Sequence, residues 1–459
     1  MNDTRNGGSR TTGNAGVRFV GLFLVLILVS NVGAGDWPNW RGPHYNGSCD
    51  ETNLPEKFGP TENVLWSVPL KGDDGSATPV VIGSRVFVNA AEKQEKGTVL
   101  FAICLDRDTG KTLWKNQVAT TERTIRPQNT WASPSPASDG KNAFFLYGTG
   151  DLAAFNAEGK QLWARNLQKD FGPWNIMWDY GSSPFLYKGK LYIVVMQTVK
   201  PYDYTPKGGP AASESYLLCL DPVTGKDLWK QVRPSDSSGE SLEAYTTLVP
   251  YDNNGREELL MLGGDYLTAH NPETGEEYWR FCYSPEHKAF WRIVPSPVVV
   301  DGMIIIARPK FDLVFGLPVL KDAKGVLPFE KLAWQYKGTT TDTPTPLYYQ
   351  GRLYLVHDNR KVVTCLNPQT GEKIWEGDLA RDAKVQGTMR GSPASADGKI
   401  YCVSMKGEVV VLKAGDQFEV LAKADLGGSL SSASVAIADQ KIFIRTSEAL
   451  FCFAKQKVQ

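Results

Sequence analysis

The stretch CLDRDTGKTLWK, residues 104–115, decides the fold because similar stretches return along the chain. Further copies are AFNAEGKQLWA (154–164), CLDPVTGKDLWK (219–230), AHNPETGEEYWR (269–280) and CLNPQTGEKIWE (365–376). An Asp or Asn that opens a turn, followed by a Gly that closes it with positive φ, is typical of a β-hairpin. No G-x-x-x-x-G-K-[ST] motif occurs. We therefore interpret the repeated Thr-Gly-Lys as structural and not as a phosphate-binding loop.

A tryptophan near the end of each copy marks one anchor position per repeat. Weaker copies end in KLAWQY (331–336) and FEVLAK (418–423), and NVLWSVPL (63–70) supplies only the end of one. The spacings between anchors run from 41 to 66 residues, near the length of one propeller blade. The anchors are assigned to Trp66, Trp114, Trp163, Trp229, Trp279, Trp334, Trp375 and Val420.

A second pattern lies between the anchors: Ser-Pro or Thr-Pro, then two apolar runs joined by a turn. Copies include SATPVVIGSRVFV, SSPFLYKGKLYIV and GSPASADGKIYCV, and eight such hairpins alternate with eight anchors. Each unit is predicted to hold four strands, so residues 63–459 form an all-β, eight-bladed propeller of antiparallel blades. The first unit is only an outer strand and the last unit lacks one. NVLWSVPL should therefore pair beside EALFCFAK and close the ring, which leaves no open edge.

The segment DWPNWRGPHYNG, residues 36–47, has neither the alternation of a strand nor the spacing of a helix. It immediately precedes the closing strand. We interpret residues 35–62 as an N-terminal extension that packs on the closing blade, in preference to a segment that contacts a cofactor.

The N-terminus has the features of an export signal. Arg5, Arg10 and Arg18 precede the apolar run FVGLFLVLILV (19–29), and SNVGA then offers small residues for cleavage. Residues 1–34 are therefore predicted to be a signal peptide of a periplasmic or secreted protein without a transmembrane span after cleavage; a retained anchor is the alternative. The 50 basic and 50 acidic residues cancel, which argues against nucleic acid as a partner.

Seven cysteines remain after the signal segment. Cys104, Cys219 and Cys365 hold one position in three repeats and are predicted to be small fillers of buried strands. Cys49 and Cys282 lie in loop-like sequence, where a disulfide between them is an open alternative. The absence of CxxC and HExxH motifs gives no support to zinc or thiol redox chemistry.

With these repeats the sequence resembles the pyrroloquinoline-quinone-like eight-bladed β-propellers, and within them a group of exported bacterial proteins. The resemblance covers about Trp37 to Lys455 and is carried by the D-x-x-T-G-x-x-x-W copies, WPNWRGPHYNGS and NTWASPSPASDGK. It implies one of two activities. One is quinone-dependent dehydrogenation of alcohols or sugars with a bridging calcium ion; the other is non-catalytic scaffolding, as in the lipoprotein that helps assemble outer-membrane β-barrels. The vicinal cysteine pair of many such dehydrogenases and the lipobox cysteine are both missing.

Long segments should gather on one face of the ring, where the function of a propeller usually lies. They are residues 118–133, 166–183, 232–247 and 281–296, and the insertion 197–215 within one blade. Aromatic walls with a few cations suit a planar anionic ligand, a sugar or a peptide strand, and a packed, solvated rim is the alternative. The residues concentrated there are Arg126, Trp131, Trp174, Trp178, Asp179, Tyr180, Tyr245, His287, Trp291, Arg292, Asp342 and Arg390.

Arg292 and Arg390 are expected at the channel mouth because each falls two to four residues before a Ser-Pro. The aromatic candidates for the same site are Trp131, Trp178 and Trp291, and the weaker metal candidates are Asp179 and Asp342. His287 is interpreted as a surface histidine. No nucleophile–base pair or metal cluster follows from the spacing, since in this architecture site residues come from different blades.

The expected function is that of a monomeric, non-catalytic binding or scaffold module for a protein or polysaccharide partner, and no cofactor is predicted for it. The alternative hypothesis is a divergent dehydrogenase that binds pyrroloquinoline quinone and calcium. In that alternative Arg292 or Arg390 holds the quinone carboxylates and a tryptophan stacks on the quinone plane.

Overall fold

The computed structural model describes residues 35–70, 76–126, 129–198, 214–308, 310, 313–428 and 431–456. The predicted signal segment 1–34 and most of the insertion 197–215 lie outside the described residues. No helix among the described residues is long and apolar enough to cross a membrane. The strands form eight antiparallel sheets, and the first strands of neighbouring sheets contact one another around a central channel. The predicted all-β, eight-bladed propeller is confirmed.

Blades are numbered in chain order from the first complete sheet, and their strands are given from the channel outward. Blade 1 holds β2 (Val80–Ile82), β3 (Arg85–Lys93), β4 (Thr98–Asp106) and β5 (Thr112–Thr121). Blade 2 holds β6 (Ala137–Ser138), β7 (Asn142–Leu146), β8 (Asp151–Asn156) and β9 (Gln161–Asn166).

Blade 3 holds β10 (Phe185–Tyr187), β11 (Lys190–Val195), β12 (Tyr216–Leu220) and β13 (Asp227–Val232). Blade 4 holds β14 (Val249–Asn253), β15 (Arg256–Gly263), β16 (Tyr266–His270) and β17 (Glu277–Cys282).

Blades 5 to 7 follow the same plan. Blade 5 holds β18 (Val298–Val300), β19 (Met303–Ala307), β20 (Leu313–Pro318) and β22 (Trp334–Lys337); blade 6 holds β23 (Leu347–Tyr349), β24 (Arg352–His357), β25 (Val362–Leu366) and β26 (Lys373–Asp378); blade 7 holds β27 (Ala394–Ala396), β28 (Lys399–Val403), β29 (Glu408–Lys413) and β30 (Val420–Asp425). The helical turns are α1 (Leu167–Phe171), α2 (Leu379–Asp382) and the 3-10 turns Gly239–Leu242 and Phe329–Lys331.

Blade 8 joins the two ends of the described chain. Its inner strands are β31 (Ala436–Ala438), β32 (Lys441–Arg445) and β33 (Ala449–Phe453), and its outer strand is β1 (Val64–Pro69). The two end strands pair antiparallel, with Trp66 opposite Cys452. The predicted pairing of NVLWSVPL beside EALFCFAK is confirmed.

Blade 4 departs from the four-stranded plan. Residues 319–333 form an insertion between the third and fourth strands of blade 5, and it carries β21 (Gly325–Leu327). This strand pairs parallel to β17 and becomes a fifth strand on the outer edge of blade 4. The insertion thus covers an edge that the other blades leave at their fourth strand.

The repeated Thr-Gly turn and tryptophan form one joint between neighbouring blades. The ring of Trp114, on the outer strand of blade 1, lies against Gly159 in the turn of blade 2, where a Cβ atom would come within 2.6 Å of it. The indole N–H of Trp114 donates to the carbonyl of Ala157 in the same turn at 3.1 Å. Gly159 also has a φ of 83°, which favours glycine. The joint explains why Gly and Trp recur together.

The contact between the tryptophan ring and the turn glycine is found at five seams between blades, and at four of them the indole N–H also donates to a carbonyl of the turn. The tryptophan–glycine pairs are Trp66–Gly110, Trp114–Gly159, Trp163–Gly225, Trp229–Gly275 and Trp334–Gly371. At the seam between blades 4 and 5 the long insertion replaces the tight turn, and the indole of Trp279 donates to Glu258 at 2.9 Å.

The seam between blades 7 and 8 is built differently, and the assignment of Val420 as the eighth anchor is wrong. In the regular blades the anchor lies opposite a residue such as Cys104 on the third strand, and in blade 7 the corresponding pair is Val411 and Ala422. Phe58 packs in this seam, with its ring centroid 6.3 Å from that of Tyr401 in blade 7 and 4.7 Å from that of Phe453 in blade 8.

The N-terminal segment, residues 35–62, crosses one end of the central channel. Trp37 pairs with Val81 of blade 1, and the Pro38 carbonyl accepts a hydrogen bond from Ser138 of blade 2. A few residues later Arg41 reaches blades 6 and 7, on the far side of the ring. Later contacts with blades 3, 7 and 8 come from Tyr45, Ser48 and Cys49. The segment therefore contacts most of the ring and not the closing blade alone.

All seven cysteines carry free thiols in the structure. Cys104, Cys219 and Cys365 are buried in third strands, as expected of small fillers. Cys49 is buried in the core, and its Sγ lies 3.8 Å from the Ile437 carbonyl oxygen. Cys49 and Cys282 are not bonded to each other.

Candidate functional site

A closed ring of hydrogen bonds surrounds the channel just before the innermost strands. In each blade one Ser or Thr donates its backbone N–H to the hydroxyl oxygen of the equivalent residue in a neighbouring blade, at 2.9 to 3.2 Å. All eight are buried. The ring residues are Thr78, Ser135, Ser183, Thr247, Ser296, Thr345, Ser392 and Ser434.

Each ring hydroxyl accepts one N–H, and within the described chain none of the eight finds an acceptor for its own proton. A buried hydroxyl without an acceptor is costly unless a water or ligand takes the proton. The ring therefore directs a set of hydroxyl donors toward the channel.

A funnel of about 370 Å³ lies on the loop-rich side of this ring. Its wall has eightfold order, because the residue two positions before each ring residue lines it. The eight wall residues are Ser76, Ser133, Gly181, Tyr245, Val294, Thr343, Arg390 and Ser432. Most of these wall residues have small side chains. Arg390 and Tyr245 are the two with long side chains.

Trp40, from the N-terminal segment, also lines the funnel. Its neighbour Arg41 is fully buried and donates to the carbonyl oxygens of Pro393 (2.9 Å), Asn46 (2.6 Å) and Pro346 (3.3 Å). Burial lowers the pKa of Arg41 to about 9. Both prolines directly follow ring residues, so the segment lies immediately beneath the ring. Trp40 is therefore the floor of a funnel that is open on one side.

Arg292 and Asp342 form a two-pronged ion pair in the funnel. Nη1 and Nη2 of Arg292 donate to the two carboxylate oxygens of Asp342 at 2.9 and 3.0 Å. Burial would raise the pKa of Asp342, but the hydrogen bonds and charge of Arg292 outweigh it and the pKa lies below the usual value. Asp342 is thus paired with Arg292, whose Nε also lies 3.6 Å from Glu240 Oε1.

Asp358 is the second buried carboxylate of the funnel. Its Oδ1 accepts the backbone N–H groups of Asp342 and Thr343 at 3.2 and 3.3 Å. Burial, with a contribution from the charge of Asp342, raises the pKa of Asp358 to about 6. Asp358 is therefore mostly ionised at pH 7 and loses its negative charge as the pH falls through about 6.

Arg390 differs from every other charged group of the funnel. It is half-buried in the wall and has no hydrogen-bond or ion-pair partner among the described residues. An unpaired guanidinium in a concave site offers a planar, two-pronged donor to an incoming anion.

Trp178 lies at the mouth of the funnel. Its indole N–H donates to Glu240 Oε1 at 2.8 Å, and the guanidinium of Arg126 lies 5.4 Å from its ring centroid. Tyr245 donates to Glu243 at 3.0 Å and accepts the backbone N–H of Trp178. The mouth is therefore held by hydrogen bonds between three blade connections.

The structure thus brings Arg292, Arg390, Trp178 and Asp342 together and places the other candidates elsewhere. Trp131 is buried in the core between blades 1 and 2. Trp291 lies between two cations, with Lys288 Nζ 3.9 Å and the Arg308 guanidinium 4.8 Å from its ring centroid.

Asp179 accepts the backbone N–H of Arg126 at 3.1 Å and holds a loop. His287 has a buried partner that the sequence did not suggest, since its Nδ1 lies 3.0 Å from Asp265. Both residues lie on the loop-rich face but outside the funnel wall.

Sequence reasoning missed Trp40 and Asp358. The segment that contains Trp40 was predicted to have a structural role. No feature of the neighbouring sequence indicates that this segment crosses the channel. The wall itself had a usable signal, because counting two residues back from each Ser/Thr-Pro gives most of the wall, including Arg390.

A metal site of protein ligands has little support in the described residues, where no three His, Cys, Asp or Glu side chains are grouped to hold an ion. Asp342 has both oxygens bonded to Arg292, and Asp179 lies outside the funnel wall. The funnel therefore offers an aromatic floor, hydroxyl donors and one free cation.

A family model described as outer membrane protein assembly factor BamB matches residues 59–206 and 213–457. The match covers well over half of the sequence. The chain belongs to this family of pyrroloquinoline-quinone-like propellers.

Known proteins of two kinds resemble the chain. A polyvinylalcohol dehydrogenase of a Pseudomonas species is 25% identical over 245 residues, which are 48% of this chain and 36% of that protein. The chain therefore matches only about a third of the length of this relative.

Among solved structures, BamB from Moraxella catarrhalis has a TM-score of 0.56 at 16% identity and covers 85% of this chain and 99% of that chain. A europium-containing methanol dehydrogenase has a TM-score of 0.67 at 12% identity, with 92% of each chain covered. Quinohemoprotein alcohol dehydrogenase from Comamonas testosteroni has a TM-score of 0.62 at 14% identity, with 94% of this chain and 82% of that chain covered. At these identities the likeness establishes the fold alone.

Proposed function

We propose that this chain is an exported, monomeric and non-catalytic binding module that takes a protein or polysaccharide partner on the loop-rich face of the propeller. The main support for the proposal is that both funnel carboxylates already accept hydrogen bonds from the protein itself. Both oxygens of Asp342 are bonded to Arg292, and Asp358 accepts two backbone N–H groups. Neither is placed as a free base beside a described nucleophile, whereas Arg390 has no described partner and Trp40 lines the funnel.

One comparison supports this proposal over an enzymatic one. The description of the family names an assembly factor, which favours a protein partner.

An exposed aromatic residue on the loop-rich face allows a direct test. Phe290 is 68% exposed in the segment 281–296, and Val223 is 65% exposed in a hairpin turn on the opposite face. Wild-type protein and Val223→Ser should capture the same partner from envelope extract or from a polysaccharide fraction. Phe290→Ser should capture at least fivefold less. Equal capture by both variants, or no capture by folded wild type, contradicts the proposal.

A dehydrogenase remains the second candidate because Trp40 and Arg390 offer an aromatic face and a cation to a planar, carboxylate-bearing quinone. The residues do not fit the bridging calcium ion, since no described group of three ligands exists and Asp342 is bonded to Arg292. We therefore derive no step through a quinone–calcium pair. Reconstitution with pyrroloquinoline quinone and calcium, followed by dye-linked alcohol and aldose assays, tests this candidate; absence of quinone binding in calorimetry rules it out.

A further inference from the structure

The funnel has a closed floor, and this limits what can enter it. Residues 37 and 38 bond to blades 1 and 2, and Arg41 bonds to blades 6 and 7 across the ring. The chain between them must cross the axis, and Trp40 is the residue that faces the funnel. A ligand can therefore enter only from the loop-rich side. A chain molecule can place its end or a side group here but cannot pass through.

Hydroxyl groups form a large part of the polar lining of the funnel. Five of the eight ring hydroxyls line it, and none of the five has a described acceptor for its proton: Ser135, Ser183, Thr247, Ser392 and Ser434. All five are more than nine-tenths buried. Such donors are satisfied by a ligand rich in oxygen acceptors.

Two arginines line the funnel, and they differ in their partners. Arg292 pairs with Asp342, whereas Arg390 has no described partner and the remaining carboxylate, Asp358, accepts backbone N–H groups. The fork of a guanidinium matches the two oxygens of a carboxylate. The ligand group that the wall favours is therefore a carboxylate.

Trp40 completes the requirement, since an indole face binds the C–H face of a sugar ring or another flat ring. A volume of about 370 Å³ lies at the low end for small-molecule sites and suits one ring with its substituents. An acidic peptide side chain brings a backbone N–H that needs an acceptor, and both oxygens of Asp342 and Oδ1 of Asp358 already accept hydrogen bonds. A ring with hydroxyl groups and a carboxylate satisfies the donors better.

We infer that the funnel binds the terminal, carboxylate-bearing sugar unit of an acidic saccharide, with the carboxylate on Arg390, the hydroxyls on the Ser/Thr ring and the sugar ring on Trp40. This inference rests on the proposed binding function and names the chemistry of its partner.

The test is calorimetric titration of the folded chain with D-glucuronate and, as the neutral counterpart, D-glucose. Glucuronate should bind at least tenfold more tightly than glucose. Arg390→Gln should weaken glucuronate at least tenfold and leave glucose unchanged. Arg381→Gln is the matched control, because Arg381 lies on α2 in the same blade connection, is 72% exposed and pairs with Asp382; it should change neither affinity.

Five further outcomes decide the matter. Arg390→Lys keeps the charge but loses the fork, so intermediate affinity supports the two-pronged contact. Absence of glucuronate binding, or equal binding of acetyl-glutamate amide, overturns the inference, and in the second case a peptide is the ligand. If the loop-rich face captures a partner through Phe290 but glucuronate does not bind, the saccharide inference is refuted and the binding function stands. If bound glucuronate is oxidised in a dye-linked assay, the non-catalytic function is refuted and the funnel remains the binding site.

Discussion

Two kinds of seam hold the propeller together, and they differ in where their parts come from. At the seam between blades 1 and 2, Trp114 and Gly159 belong to neighbouring copies of one repeat. At the seam between blades 7 and 8, the anchor position holds Ala422, and Phe58 packs there from the opposite end of the chain. The first seam is formed by residues of the repeat itself. The second seam is formed by residues from the two ends of the chain.

The physical reason is the route of the chain. The tryptophan of one blade docks on the turn between the third and fourth strands of the next. In blade 8 these strands are β33 and β1, which no turn connects. A tryptophan on blade 7 would therefore have no glycine turn to rest on. A small residue at 422 and a ring supplied by residue 58 solve the same packing problem.

The largest effect is expected from removing the parts that the ends supply. Deletion of residues 35–70 removes β1, the channel floor, Phe58 and the wedge of Trp66, which alone is worth about 3–5 kcal/mol by analogy with core truncations. The shortened chain should aggregate or melt far lower in a thermal scan. Removal of residues 1–34 alone should leave the melting temperature unchanged. Equal melting of the two shortened chains would show that the ends do not close the ring.

Single truncations compare the two seams directly. Phe58→Ala should cost about 3–4 kcal/mol of unfolding free energy because it empties a buried wedge, and Trp114→Ala should cost about 2–3 kcal/mol because its ring is only partly buried. The measurement is the denaturant midpoint at constant slope. A cost below about 1 kcal/mol for Phe58→Ala would mean that the N-terminal segment only lies over the seam.

Glycine substitutions separate contact from backbone strain within the regular seam. Gly159→Ala should cost about 2–3 kcal/mol, because the Cβ meets Trp114 and φ is 83°. The control is Gly189→Ala, where φ is 74° and no atom lies within 4 Å of the added Cβ. It should cost only about 1 kcal/mol. Equal costs would remove the indole contact from the explanation.

A double-mutant cycle tests whether one wedge can replace the other. Ala422→Trp should destabilise the wild type by about 1–2 kcal/mol, because Phe58 already occupies the seam. In the Phe58→Ala background the same change should cost less or become stabilising, which gives a coupling energy of about 1 kcal/mol. Additive effects would show that residues 58 and 422 fill different spaces.

The repeat was sufficient to predict the blade count and the ring closure, because both follow from counting units. The eighth anchor was misplaced at Val420, since strand register depends on a bulge that the sequence does not mark. Arg390 could be placed by its distance from a Ser-Pro. Trp40 could not, because its position depends on contacts between residue 41 and blades more than 300 residues away.

The pairing of β1 with β33 also determines how the ring responds to mechanical force. Val64 lies opposite Phe453, so the leading end of β1 and the trailing end of β33 meet at the same end of the ladder. Tension applied to the two ends of the chain would peel this ladder one rung at a time instead of shearing all rungs together. The N-terminal segment lies between the point where force is applied and the first residue pair of the ladder, and it bonds to several blades. It would have to yield before the ladder is loaded, which makes it the force-bearing latch of the closed ring.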